Sequence, residues 1–334
     1  TLPESWSRPN DFMLKGGELW AERTLQSFLN GRGKHYHFNI SKPLESRKSC
    51  SRLSPYLAWG NISLRQLYQK ILMKRSQAGW QKPLDGLASR LHWHCHFIQK
   101  FESEHQMQFR PVNKAYSGFT YPDIHCGLTV EERLKRWEMG LTGYPLVDAC
   151  MRCLLKTGYV NFRMRAMLVS FLCHHLMVDW RLGVAYLGKL FLDFEPGIHY
   201  PQFQMQSGVT GTNIIRVYNP VKQSVEKDKE GSFIRKWLPQ LSELPKEIIH
   251  TPWELSPMEQ QLYQCRLGET YPLPMIDINE TGKIARDILW GFRQRFDTKK
   301  EGQRIISKHV RTSKKVKKVK KTSTGKIKKS KVKE

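Results

Sequence analysis

Met164, Met167, Leu168, Phe171 and Leu172 fall at i, i+3, i+4, i+7 and i+8, which predicts one apolar stripe on a helix in the middle of the chain. From Val184 the period fades into a segment rich in Gly, Pro, aromatics and amides that runs to Pro220, and this predicts a long loop. A helical wall feeding such a loop is one way to place a site on a scaffold. Residues 16–30 predict a helix with Leu19, Thr24, Leu25 and Phe28 on one side. Further helices are predicted over 63–74, over 87–101 with Leu87, Leu91, His94 or Cys95 and Ile98 inward, and from Leu128 to Trp137. The run Phe233–Leu238 reads as a short helix ended by Pro239, and 256–267 and 279–296 as two more. Asn279 is expected to cap the last, with Ile284, Ile288 and Trp290 or Gly291 inward. Residues 102–130 are polar and irregular. Strand alternation is scarce, so the expected fold class is all-α.

Ser54 followed by Pro55 predicts an N-cap and first-turn pair. Ser51, Arg52 and Ser54 would then gather donors at a helix N-terminus, where the dipole favours a phosphate. An ordinary capped helix is the simpler account of those residues alone. The upstream GRGK at 31–34 lacks P-loop spacing.

With 334 residues, 40% of them hydrophobic, the chain can bury a large core. No run reaches the roughly 18 apolar residues of a membrane span, so no membrane association is expected. Residues 1–15 read as a linker, and an N-terminal portion is expected before them. Charge adds a candidate partner. Of the net +25, residues 299–334 hold sixteen Lys and Arg against two Glu (16 − 2 = +14), leaving +11 for residues 1–298. A basic body with a concentrated lysine run points to a polyanion, nucleic acid first, and the run itself is too poor in apolar residues to pack, so 299–334 is expected to be disordered. Solubility alone accounts for the body better than for the run. His92, His94 and His96 alternate near Cys95, but a helix puts His92 and His96 on one face and His94 on another. Cys150 and Cys153 form a lone CxxC inside an apolar helix, so no metal site is expected. Seven cysteines fit free thiols in a reducing compartment.

Five segments occur in one order: Ser51-Arg52-Leu53-Ser54-Pro55-Tyr56-Leu57; Trp137 with Gly140, Thr142 to Ala149, Met151 and Arg152; Asp179-Trp180-Arg181 with Gly183; Asn219-Pro220 with Gln223; and Gly231 to Leu241. Together, over about residues 16–255, they resemble the FAD-binding half of the photolyase/cryptochrome family. The resemblance implies an all-helical domain over 16–298 holding FAD in a U shape, preceded by an antenna domain with its own chromophore. It implies that Tyr36, Ser51, Arg52, Leu53 and Ser54 contact the phosphates and ribityl chain. Arg165 and Asp193 match a charged pair beside the flavin ring, with Glu195 and His199 also at the cofactor. Trp93, Arg163 and Arg216 match positions at a DNA-facing mouth, where an indole stacks on a flipped-out dimer and arginines clamp phosphates.

The implied function is light-dependent repair of pyrimidine dimers in DNA by electron transfer from excited reduced FAD, in a monomeric, cytoplasmic protein (nucleoid-associated if bacterial). The alternative is a blue-light sensor without repair. Four positions depart from the family pattern. Arg90 stands for the usual lesion-contacting Glu, His199 for an Asn facing the flavin, Phe203 for the flavin-proximal Trp, and Cys50 for Ser or Thr. Trp180 and Trp137 match the middle and distal members of the electron-transfer chain, with Tyr200 as a substitute aromatic. His199 is expected to titrate near neutral pH and couple flavin protonation to light.

Overall fold

The computed structural model describes residues 10–310; most of the linker expected over 1–15 and the lysine run from 311 onward lie outside the described residues. Among the described residues the chain is helical, with a single isolated bridge between Leu267 and Tyr271 in place of any sheet. Glu18–Leu29 (α1), Leu64–Arg75 (α2) and Gln81–Ser103 (α3) enclose a smaller core of Leu25, Phe28, Leu67, Ile71, Leu84 and Leu87. Val130–Met139 (α4), Pro145–Thr157 (α5), Phe162–Ser170 (α6), Trp180–Leu190 (α7) and Pro196–Ser207 (α8) surround the larger one.

The stripe on α6 behaves as its spacing predicts: Met164, Met167, Leu168, Phe171 and Leu172 are all fully buried. α6 continues into one π turn, Phe171–His175, a distortion that recurs at functional sites. The Thr142–Asp148 run is explained by structure alone. Buried Asp148 accepts hydrogen bonds from the Thr142 and Gly143 amides (2.8 and 3.0 Å), the Thr142 hydroxyl (2.7 Å) and Tyr271 Oη (2.7 Å). Gly143 sits at φ +81 under the Leu273 carbonyl, where a side chain has neither the dihedral nor the room.

Several expectations change. The segment from Val184 to Pro220 is mostly helix: α7 reaches Leu190, and Glu195 opens α8 by accepting from the Gly197 amide (3.3 Å), with Pro196 in the first turn. Pro201 inside α8 hid its period. Ser54 is the first helical residue rather than the cap and makes no capping bond. Asp277, not Asn279, caps Ile278–Gln294 (α9). That helix turns Thr281, Gly282, Ala285 and Leu289 inward because Gly282 lets it close on His175, which rotates Ile284, Ile288 and Trp290 toward the rim. Leu19 is exposed, and the 256–267 helix stops at Leu262 because Gln264 takes φ +52. The disordered tail expected from 299 is corrected as far as His309. Phe296–His309 (α10) is a helix, since Thr298, Gly302 and Ile305 at i, i+4, i+7 make a buried stripe under its lysines.

Candidate cofactor-binding site

A cavity opens between α6, α8 and the 191–195 turn, lined by Phe162, Arg165, Phe191, Asp193, Glu195, His199, Gln202, Phe203 and Gln206. Arg165 is fixed on three sides. Its Nε donates to the Val160 carbonyl (2.9 Å), its Nη2 to Asp193 Oδ2 (3.0 Å), and its guanidinium lies 4.0 Å from the Phe191 ring centroid. The second oxygen of Asp193, Oδ1, is buried with no partner, as is Gln202 Oε1. His199 sits one turn before Phe203 on α8, its ring 5.7 Å from that of Phe203.

The protonation of His199 follows from its contacts. Nε2 lies 2.8 Å from the Val184 carbonyl, which can only accept, so Nε2 carries the hydrogen. Burial pushes the ring down to about 4, outweighing the carbonyl bond that favours its cation. The ring is therefore neutral at pH 7 and Nδ1 is a bare acceptor. The titration expected near neutral pH does not occur, because a ring this buried does not hold a charge beside Arg165. Asp193 Oδ1, His199 Nδ1 and Gln202 Oε1 thus give the cavity an excess of acceptors, suited to a ligand edge rich in N–H groups.

Next to it is a cationic loop. Arg52 takes φ +60, a left-handed strain that costs a non-glycine residue about 1–2 kcal/mol. Its guanidinium lies over Tyr159 (4.3 Å), and its Nε is buried without a partner. Arg32 stitches this loop down: it donates to the carbonyls of Thr24 (3.0 Å), Lys48 (3.2 Å), Cys50 and Ser51 (2.9 Å). Arg47 does the same from below through the Tyr159 carbonyl (3.1 Å). Burial lowers both Arg32 and Arg52, and for Arg32 the charge of Arg52 adds to it. Arg52, half-buried and without a salt bridge among the described residues, keeps a free Nε donor, and half-buried Arg32, its own N–H groups spent on Ser27 and the loop carbonyls, adds positive charge beside it, which together suit a dianion. Arg32 belongs to the GRGK run read only as a failed P-loop, and its role was missed because its partners are backbone carbonyls. Tyr36 is buried against Phe28 (6.0 Å, edge-on) beside Gly86. Leu53 is buried, while Ser51 and Ser54 are half-buried.

The other predicted residues are not all together. Trp93 is 50% exposed on α3, stacked on Phe97 at 5.6 Å. Arg163 reaches Tyr218 Oη (3.2 Å), and Arg216 is exposed on the segment after α8. His92 edges onto Tyr68, His96 onto Trp93, and His94 is half-buried with an unpartnered Nδ1. Trp180 lies 6.5 Å from Phe203. Trp137, expected as the distal member of the aromatic chain, has no exposed surface: α4 turns it into the core, and its aromatic neighbour is half-buried Tyr186 (6.3 Å). It does not meet solvent itself.

Residues 87–291 match the family described as the FAD binding domain of DNA photolyase. The chain belongs to the photolyase/cryptochrome family. It is 34% identical over 278 residues to a deoxyribodipyrimidine photo-lyase of Alkalihalophilus pseudofirmus, covering 82% of this chain and 56% of that protein. It is 32% identical over 280 residues to a cryptochrome DASH of Synechocystis sp., covering 82% and 55%. The solved class III photolyase from Agrobacterium tumefaciens superposes with a TM-score of 0.75 at 27% identity, over 84% of this chain and 56% of that one. This chain spans about half the length of the curated relatives it matches. The cofactor of this photolyase-type domain is FAD, and the residues fit it. The charge of half-buried Arg32 and the free Nε of half-buried Arg52 suit a diphosphate, and the orphaned acceptors Asp193 Oδ1 and Gln202 Oε1 suit the N–H groups of an isoalloxazine.

Proposed function

We propose that the domain serves light-dependent repair of UV-induced pyrimidine dimers in DNA. The observation that carries this is an acceptor-lined cavity set beside a half-buried cationic loop, on a wall (α8) packed along the helix that exposes Trp93. When bound and reduced, FAD would supply light-driven one-electron chemistry to the dimer, with no net redox change. The protein's part is to hold and orient. Arg52, braced by Arg32, and Tyr36, Ser51, Leu53 and Ser54 seat the diphosphate and ribityl end. Arg165 and Asp193 fix the ring edge, Glu195 holds the start of α8, and His199 offers Nδ1 as an acceptor without taking up a proton. Trp93 gives a flipped-out dimer a stacking surface, and Arg163 and Arg216 hold the flanking phosphates.

A light sensor of the cryptochrome type is the second reading, supported by Arg90, which the family resemblance aligns with a lesion-contacting acid and which can only donate hydrogen bonds. The readings part on one experiment, in which the chemically reduced flavoprotein is illuminated with dimer-containing DNA. Loss of dimers supports repair. Flavin retained without dimer loss leaves the sensor, and protein that binds no flavin removes both.

A further inference from the structure

The seat for FAD is built on two hydrophobic cores. Its cationic loop belongs to the smaller one, where Cys50, Leu53 and Tyr56 on either side of Arg52 are buried with α1 and α3. Its Asp193 turn belongs to the larger one through Phe191. One joint between the two parts is buried: the Tyr159 ring takes the guanidiniums of both Arg52 (4.3 Å) and Arg165 (5.4 Å). Another stands in solvent. Trp59 is 76% exposed, yet its Nε1 donates to the Leu192 carbonyl (2.8 Å), 133 residues away in the chain. Burial does not account for an indole so placed, and its one polar atom, which can only donate, has a backbone partner.

Both ends of this bond are held. Trp59 closes the Ser54–Ala58 helix, which starts two residues after Arg52, and its amide donates to the Pro55 carbonyl (3.0 Å). Tyr56 roots that helix in the smaller core and donates to the Lys15 carbonyl (2.8 Å). On the other side the Leu192 amide donates to the Gly158 carbonyl (3.0 Å). Gly158 takes φ +63, and a Cβ there would lie 2.5 Å from Leu192 Cγ, so the turn sits tight against it. Leu192 is thus held by Gly158 at its N–H and by Trp59 at its carbonyl, one residue from Asp193.

We propose that Trp59 is a positioning residue that sets the distance between the two parts of the cofactor seat, the Arg52 loop and the Asp193 turn. It touches no reacting atom. Its effect falls on a ligand long enough to reach both parts, a flavin joined to a nucleotide by a diphosphate, and not on either half alone. A ligand held at two linked places gains from the second contact only when the spacing matches. The inference rests on the FAD seat described above.

The test compares the unaltered chain with Trp59→Phe, which keeps a ring and loses the N–H, and with Trp59→Ala. FAD release is timed by the return of free-flavin fluorescence when the holoprotein is diluted. Riboflavin and ADP are measured separately as competitors of FAD rebinding, and urea midpoints report folding. Trp59→Phe is expected to speed FAD release about fivefold, as loss of one hydrogen bond does, with riboflavin and ADP affinities unchanged within about twofold. Exchange of the Leu192 amide is expected to quicken with it. Trp59→Ala is expected to act in the same direction, and Trp59→Phe decides the matter if the alanine variant unfolds. Riboflavin weakened in step with FAD, or FAD release unchanged in folded Trp59→Phe, overturns the positioning role alone. Fragments that do not compete in the unaltered chain overturn it as well, since the seat then has no separable halves. No FAD binding by the unaltered chain overturns the role and the seat together.

Discussion

Phe203 lines the cavity on its α8 side. It is buried between His199 and Trp180, and its ring is far harder to oxidise than an indole, so electrons should pass slowly from Trp180 toward the cavity. Phe203→Trp is expected to speed photoreduction of the bound flavin while costing about 1–3 kcal/mol for the larger ring in a filled core. Transient absorption checks it, and a wild type that photoreduces as fast as the variant would show that electrons take another route. His199 shows why residue type alone misleads. The sequence offers a titratable group at neutral pH, but burial and the Val184 carbonyl turn it into a fixed neutral acceptor. Arg165 and Asp193 were legible only through the family resemblance, and the structure adds the Val160 bond and Phe191 contact that hold the guanidinium. Arg32 was not legible. Its five partners come from other segments, and nothing local marks it.

At the level of elements, Gly183 decides how closely α7 approaches the wall. A Cβ there would collide with Leu172 and stand 3.5 Å from both Phe203 and Trp137. Gly183→Ala is therefore expected to lower stability by about 1–3 kcal/mol through overpacking, against the gain alanine usually brings inside a helix. Denaturant unfolding measures it; a variant as stable as the parent would mean that Leu172 has room to move. Helices with a clean apolar stripe, such as α6, could be read directly. α8 could not, because Pro201 and its mixed surroundings conceal the period. α10 could not either, because its buried stripe is made of Thr298, Gly302 and Ile305, which a count of large apolar residues passes over.

For the whole molecule, buried groups set the pH range. His174 and His175 hold the end of α8 and the segment after it through the carbonyls of Ser207 (3.1 Å) and Tyr218 (2.8 Å), and burial pushes both rings, like His199, down to about 4. An unfolded imidazole takes a proton below about 6.5, the folded ones only near 4, so the unfolded state binds more protons in between. Stability is therefore complete above about 6.5 and lost as pH falls toward 4, by up to roughly 3 kcal/mol per ring. Glu104, which burial raises but Lys308 and Arg304 pull down, acts in the same sense lower down, between its ordinary range and about 2. Urea midpoints at pH 7.5, 6 and 5 should fall in that order, and a flat series would mean that the rings are not buried in solution. These groups shape the molecule, while its purpose rests on the cavity. The most direct measurement is dimer loss from irradiated DNA under blue light, with flavin content recorded and the flavin chemically reduced beforehand. The account predicts stoichiometric FAD and light-dependent loss of dimers, none in the dark. Reduced flavin at full occupancy with dimers untouched in the light would contradict it.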